Sequence, residues 1–201
     1  MTSCIDEQPD LDLVAIFLTD RGLSVERFTK METQAGKTPD FRIMQDGALV
    51  AFCEVKSPND PWLDTLLDNA PPLTFFGGGR DDPTFNRISR LLVTAAKQFH
   101  AVNSNRDVLN ILAFVNHDDN SDYHDLVEIV TGYFHAADGT KHATMLDLSE
   151  KRVGKAKQCI DAFLWFNAET GRMVGILINQ TDPERVQRVC ALLGFDAAKI
   201  A

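Results

Sequence analysis

The chain of 201 residues has few cysteines, and they lie far apart: Cys4, Cys53, Cys159 and Cys190 form no CxxC pair. A structural zinc site or a disulfide framework depends on cysteines at characteristic short spacings. The pattern therefore argues against both and favours reduced thiols in a cytoplasmic protein.

Long apolar runs and an excess of positive charge are also missing. No apolar run approaches the roughly 20 residues of a membrane helix, so no membrane partner is expected. The start, "MTSCIDEQPDLDL", has neither the basic nor the apolar region of a secretory signal. With 20 Lys and Arg against 29 Asp and Glu, the net charge of −9 argues against a basic surface coat for nucleic acid. It leaves room for a local basic groove and for an acidic cluster that a metal ion partly neutralises.

The first half of the chain predicts the order αβββαβ. Apolar residues at helical spacing indicate a first helix that ends at Gly22. Three strand-like runs follow, "LSVERFT", "FRIM" and "ALVAFCEVK", and Asp46–Gly47 between the last two is a strong signal for a tight turn. After a long loop over residues 57–82, a helix begins with Asp82 as N-cap and Pro83 in its first turn. "VLNILAFVN" then predicts a buried strand.

The second half predicts a helix over residues 123–135, a hairpin in "DAFLWFNAETGRMVGILIN" and a closing helix over Pro183–Leu193. We therefore expect an α/β fold with a mixed central sheet flanked by helices, plus a C-terminal helix–hairpin–helix extension. No linker is evident, so residues 1–201 are interpreted as one elaborated domain. Its core would be residues 10–117, with residues 118–201 packed on that core.

The predicted hairpin of "FRIM" and "ALVAFCEVK" brings charged residues together. Side chains alternate along a strand, so Glu54 and Lys56 share one face while Val55 points to the other. Asp40 precedes the first strand, and the tight turn folds it back beside Glu54. The two carboxylates and the Val55 carbonyl would form an all-oxygen site suited to Mg²⁺ or Mn²⁺. Such an ion polarises a phosphate and acidifies bound water, and the Lys56 ammonium would stabilise developing charge.

An ordinary structural interpretation stands beside this one. Pro-Asp often opens a turn, and Glu and Lys two residues apart are common on a solvent-facing strand. Polar residues of the later helix, namely Arg87, Arg90, Thr94 and Lys97 or Gln98, leave the same choice. They form either a solvated helix face or a stripe that contacts phosphates.

At Pro39–Asp40 and Glu54–Val55–Lys56 the sequence resembles the PD-(D/E)XK nuclease superfamily, which has the restriction-endonuclease-like fold. The resemblance covers about residues 10–116. It implies that Asp40 and Glu54 bind metal and that Lys56 is catalytic. It further implies an acidic metal ligand on the first helix, for which Asp12 is the candidate, although glutamate is more usual there. Gln98, on the later helix, is the implied additional site residue.

The sequence thus predicts a Mg²⁺- or Mn²⁺-dependent endonuclease or exonuclease that acts on nucleic acid, with DNA as the expected substrate. The alternative is a catalytically inactive domain of the same fold that binds nucleic acid or a protein partner. The negative net charge favours the alternative, and the intact set of Asp40, Glu54 and Lys56 favours the enzyme. A targeting partner or a homodimer would reconcile an acidic chain with a nuclease site.

Overall fold

The computed structural model describes residues 7–59, 71 and 83–196. The expected N-cap Asp82 and nearly all of the predicted loop over residues 57–82 lie outside these residues. No helix in the described ranges is both long and apolar enough to cross a bilayer.

The helices and strands follow one another in an α/β order. The helices are α1 (Gln8–Thr19), α2 (Lys30–Ala35), α3 (Pro83–Val102), α4 (Tyr123–Thr131), α5 (Gly154–Gln158) and α6 (Pro183–Leu193), with a π-helical turn at Leu148–Arg152. The strands are β1 (Ser24–Arg27), β2 (Phe41–Gln45), β3 (Ala48–Lys56), β4 (Leu109–Asn116), β5 (Tyr133–His135), β6 (Lys141–Ala143), β7 (Ala162–Asn167) and β8 (Arg172–Ile178).

Six strands form one mixed sheet in the order β1-β2-β3-β4-β7-β8, and β5 pairs separately with β6. The β3, β4 and β7 strands are parallel, and the outer pairings are antiparallel. All eight residues of β4 are buried, as expected for a parallel strand covered on both faces. An α/β fold with a mixed sheet between helices is therefore confirmed.

The β2–β3 hairpin follows from its turn chemistry. Asp46 and Gly47 both have positive φ, at 52° and 78°, which a two-residue hairpin turn requires and which Asp-Gly supplies at low cost. Phe41 then pairs with Cys53, so the start of β2 lies beside the end of β3. The turn sets the pairing next to it, and a bulge at Val50 of β3 then shifts the register by one residue, which brings Asp40 towards Glu54.

Each face of the sheet carries its own apolar layer. Ala51, Cys53 and Val55 of β3 pack in the layer covered by α1 and α6. Phe52 points to the other layer, which α3, α4 and α5 cover. The predicted apolar face of α3 is confirmed, since Ile88, Leu92, Ala95 and Phe99 are all fully buried. Because strand side chains alternate, Glu54 and Lys56 belong to the α3 face of the sheet.

Three parts of the chain differ from expectation. The C-terminal hairpin does not pack on the core as an extension: β7 pairs with β4 and completes the central sheet. The expected helix over residues 123–135 ends at Thr131, where Gly132 takes a left-handed cap at φ 85°, and β5 follows. Finally, α2 interrupts the three predicted strands. It has no apolar stripe, but its capping box of Thr29 and Glu32 is readable in the sequence as Thr-x-x-Glu.

A buried charge network joins α6 to the sheet edge where β4 and β7 begin. Arg185 donates from Nε and Nη2 to the two oxygens of Asp161, at 2.6 and 2.8 Å. Its Nη1 and Nη2 also donate to the carbonyls of Arg106 and Val108. Asp161 is 2% exposed, so this two-pronged pairing compensates a charge that would be costly to bury alone.

Candidate active site

Asp40 is held in place by the neighbouring strand. Its Oδ2 accepts a hydrogen bond from the Val55 backbone N–H at 2.8 Å, while Pro39 before it is buried. Val55 lies beyond the last residue pair of β2 and β3, so its N–H is available to the Asp40 side chain. The structure therefore brings the Asp40 carboxylate to the end of β3, as the sequence predicts.

Glu54 is the most unusual carboxylate of the site. Its side chain is 1% exposed, and its Oε1 contacts the Lys56 ammonium. The other oxygen, Oε2, is buried and accepts no hydrogen bond from the residues that the structure describes. A buried acceptor without a donor is destabilising, so this oxygen marks a position suited to a cation or another donor.

Burial raises the pKa of Glu54 from its ordinary value of 4.5 to about 8. Desolvation is the largest cause, and the negative charge of Asp40 adds to it. The charge and hydrogen bond of Lys56, together with the neighbouring Gln98 amide, lower the pKa only in part. The two carboxylates are therefore close enough to interact, and one added positive charge would favour the ionised form of Glu54.

Gln98 reaches the hairpin from α3, as the resemblance implies. Its Nε2 donates to the Thr38 carbonyl at 2.9 Å, which fixes the orientation of the amide because only the nitrogen can donate. The amide oxygen, Oε1, is buried and makes no hydrogen bond within residues 7–59 and 83–196. Gln98 thus presents a second unpaired acceptor in the site that contains Glu54.

The position of Asp12 does not support its assignment as a metal ligand. Asp12 is exposed and accepts a hydrogen bond from Gln8 at 2.6 Å. Asp10 is instead the α1 carboxylate that reaches the end of β3, where it is 3% exposed and accepts a hydrogen bond from Ser57. Two residues along a helix amount to about 200° of rotation, so the two carboxylates leave α1 on nearly opposite sides.

A sequence signal for Asp10 was available. Asp10, Val14 and Leu18 recur every four residues, and all three are buried. The carboxylate therefore lies on the buried stripe of α1, one turn before Val14. A charged residue on such a stripe needs a partner, and this requirement distinguishes Asp10 from Asp12 by helical spacing alone.

His117 is the partner that sequence reasoning overlooked. Its Nε2 lies 2.9 and 3.0 Å from the two carboxylate oxygens of Asp10. Its backbone N–H donates to the Pro58 carbonyl at 2.9 Å. Because β3 and β4 are parallel, the segments that follow them leave the sheet at one edge, and Asp10 contacts both. Asp10 and His117 thus hold together the edge of the sheet beside Lys56.

The donor set fits a hard divalent cation. Mg²⁺ is commonly bound through one or two carboxylates and keeps several waters. Asp40, Glu54 and the Val55 carbonyl would therefore supply oxygen ligands of the right type and number. The unpaired Oε2 of Glu54 gives such an ion a ligand that no described hydrogen bond already uses. No cluster of three or more His, Cys, Asp or Glu side chains suited to a metal occurs in the described ranges, so the site would depend on these two carboxylates.

A cavity of about 470 Å³ opens beside the site, and we call it the α2 cavity. Three residues of the candidate site line it, namely Asp40, Lys56 and Gln98, and the other lining residues include Arg27, Phe28, Thr33 of α2, Thr94 and residues 36–38. Thr94 is the one member of the predicted α3 stripe, apart from Gln98, that lines this cavity. Arg87 is engaged elsewhere, in an ion pair with buried Asp118.

Comparison of the chain with protein-family models, with curated proteins and with solved structures finds no match.

Proposed function

We propose that the chain is a metal-dependent nuclease that hydrolyses phosphodiester bonds, with DNA as the expected substrate. The observation that carries the proposal is the environment of Glu54. One oxygen of this buried carboxylate contacts Lys56, the other has no described partner, and burial together with the charge of Asp40 raises the pKa of Glu54. Without a cation, the arrangement leaves a buried oxygen unpaired among the described residues, beside a second carboxylate. A divalent cation would bind that oxygen and offset the negative charge.

Each residue of the site has its own role in the proposed reaction. Asp40, Glu54 and the Val55 carbonyl would hold Mg²⁺ or Mn²⁺, which supplies a polarised phosphate and an acidified water. Lys56 lies beside Glu54 as a compact positive charge, suited to stabilise the charge that develops on the phosphate during attack. The Gln98 amide, oriented by Thr38, would accept a hydrogen bond from the attacking water.

The order of elements supports the same proposal. Helix α1, the antiparallel strands β1 to β3, helix α3 and the parallel strand β4 follow the αβββαβ order of the restriction-endonuclease-like fold. Helix α2 and the β7–β8 hairpin are additions to that order. Asp40 immediately precedes β2, and Glu54, Val55 and Lys56 end β3, which is the placement that the family resemblance implies.

Calorimetric titration with Mg²⁺ and Mn²⁺ tests the metal site directly. We expect the parent protein to bind either ion and Glu54→Ala to lose binding by at least tenfold in affinity. Glu169→Ala is the matched control, because it removes an exposed carboxylate from the β7–β8 turn. Equal metal binding by the parent protein and Glu54→Ala would refute the site.

A nuclease assay on mixed DNA substrates then tests catalysis. Asp40→Ala and Lys56→Ala should each abolish metal-dependent cutting while thermal unfolding stays cooperative. Metal binding without cutting of any substrate would favour the alternative proposal, a binding module of the same fold, which the net charge of −9 also favours.

A further inference from the structure

We infer that the α2 cavity holds one unpaired nucleotide next to the phosphodiester that is cleaved. The substrate would then be single-stranded, flapped or locally unpaired nucleic acid rather than fully paired duplex. The inference rests on the proposed nuclease function and adds the form of the substrate. It is carried by the size, the charge and the construction of the cavity.

The cavity has the size and position for a single nucleotide. Its volume of about 470 Å³ falls within the range of roughly 300–1,000 Å³ typical of pockets that enclose one small molecule. Asp40 and Lys56 belong both to the cavity and to the candidate active site, so an occupant lies directly beside the reacting phosphate. A base can enter a pocket of this kind only after it leaves the helical stack, because a paired base stays within the duplex.

The charge of the cavity opposes that of the whole chain. The protein carries a net charge of −9, yet Arg27, Lys37 and Lys56 line the cavity. Asp40 is the one carboxylate among its described lining residues. A local excess of positive charge favours a phosphate on each side of a bound nucleotide, and a cation at Asp40 would increase that excess.

Helix α2, which contributes Thr33 to the wall of the cavity, takes no part in the apolar core. None of the six α2 residues is buried in the described structure, so this helix contributes nothing to either apolar layer. Polar contacts hold it instead: the Thr29–Glu32 capping box and an ion pair between Glu32 and Arg42. The Arg42 guanidinium in turn covers the Phe28 ring, 3.7 Å from its centroid. These contacts tie α2 to β2 and to the Phe28 ring, and a wall held in place before a ligand binds would lower the entropic cost of binding.

Gly36 offers a way to fill the cavity without disturbing the fold. It lines the cavity, its backbone is extended at φ −176°, and an added Cβ would meet no described atom within 4 Å. We expect Gly36→Leu to keep the melting temperature and metal affinity of the parent protein. On DNA with a single-stranded flap, it should lower kcat/KM at least tenfold.

The substrates for this test are a fully paired DNA duplex and the same duplex with an unpaired flap. The parent protein with Mn²⁺ should cut the flapped substrate at least tenfold faster than the paired one. Arg27→Ala/Lys37→Ala should raise KM on the flapped substrate. The double variant should also reduce the slope of log affinity against log salt concentration by roughly 1.4, because each phosphate contact to a single strand contributes about 0.7. Lys155→Ala/Arg172→Ala removes two exposed charges on α5 and β8 and should change neither value more than twofold.

Binding in EDTA separates this inference from the nuclease function. A fluorescent single-stranded oligonucleotide should bind the parent protein and lose at least tenfold in affinity with Gly36→Leu. If the parent protein cuts paired duplex as fast as flapped DNA and Gly36→Leu changes nothing, the cavity assignment is wrong and the nuclease function stands. If the parent protein neither binds metal nor cuts any substrate, the nuclease function fails and this inference fails with it.

Discussion

The free energy of unfolding should fall as the pH rises from 5 to 7 because of one residue, Glu54. Its pKa is about 8 in the folded protein and returns to about 4.5 on unfolding. The folded state therefore keeps a proton that the unfolded chain releases over this interval. The stabilisation is complete below pH 4.5 and is lost as the pH rises towards 8.

The size of the effect follows from the two pKa values. Each pH unit between them costs about 1.4 kcal/mol, so the interval from pH 5 to 7 costs about 2.5 kcal/mol. Glu54→Gln has no proton to lose at this position and keeps a neutral side chain of the same shape. As the pH rises from 5 to 7, the free energy of unfolding of the variant should therefore increase by about 2.5 kcal/mol relative to that of the parent protein, when all other groups titrate alike.

Urea denaturation of both proteins in EDTA, at half-unit steps from pH 5 to 8, measures this difference. Saturating Mg²⁺ should then restore stability to the parent protein at pH 7 but not to Glu54→Gln, because the ion favours the ionised carboxylate. Parallel pH profiles for the two proteins in EDTA would contradict the reasoning, since they would show that Glu54 ionises in the folded state as it does in the unfolded chain.

Three further predictions test other parts of the structure. Arg185→Ala removes the two-pronged partner of buried Asp161, which keeps its ion pair with Arg106, and should lower the free energy of unfolding by about 2 kcal/mol in urea, with metal affinity unchanged. Asp12→Ala should leave Mg²⁺ affinity within twofold of the parent value by calorimetry, because Asp12 is exposed on α1; a larger loss would restore it as a ligand. Gly175→Ala places a Cβ about 2.7 Å from the Tyr123 ring and should cost about 1–3 kcal/mol by thermal unfolding; an unchanged melting temperature would show that the ring moves freely.

Much of the site could be predicted from sequence because it is local. The Asp46–Gly47 turn predicts the hairpin, although a bulge at Val50 shifts its register by one residue, and strand alternation beyond the bulge places Glu54 and Lys56 on the same face. The bounds of α6, Pro183–Leu193, were also predicted, since Pro183 and the cap Asp182 mark its start. In each case the signal and the structure lie within a few residues of each other.

The remaining features depend on contacts between distant parts of the chain. Whether the C-terminal hairpin extends the sheet or packs on it depends on the edge of β4, and nothing within the hairpin specifies that choice. The pairing of Asp10 with His117 joins residues 107 positions apart. The sequence marks Asp10 as a buried charge in need of a partner, but it does not say which of the five histidines provides it.

The packing of α1 against the same sheet face as α6 has a consequence for biosynthesis. Arg21, just after α1, donates to the Leu193 carbonyl at the end of α6 at 3.0 Å, across 172 positions of the chain. The apolar layer that holds α1, and with it Asp10, therefore stays incomplete until α6 has been made. At typical synthesis rates, α6 is translated on the order of 10–40 seconds after the first helix. A nascent chain on the ribosome would thus carry its hairpin carboxylates early and assemble them into a fixed site only after α6 has emerged.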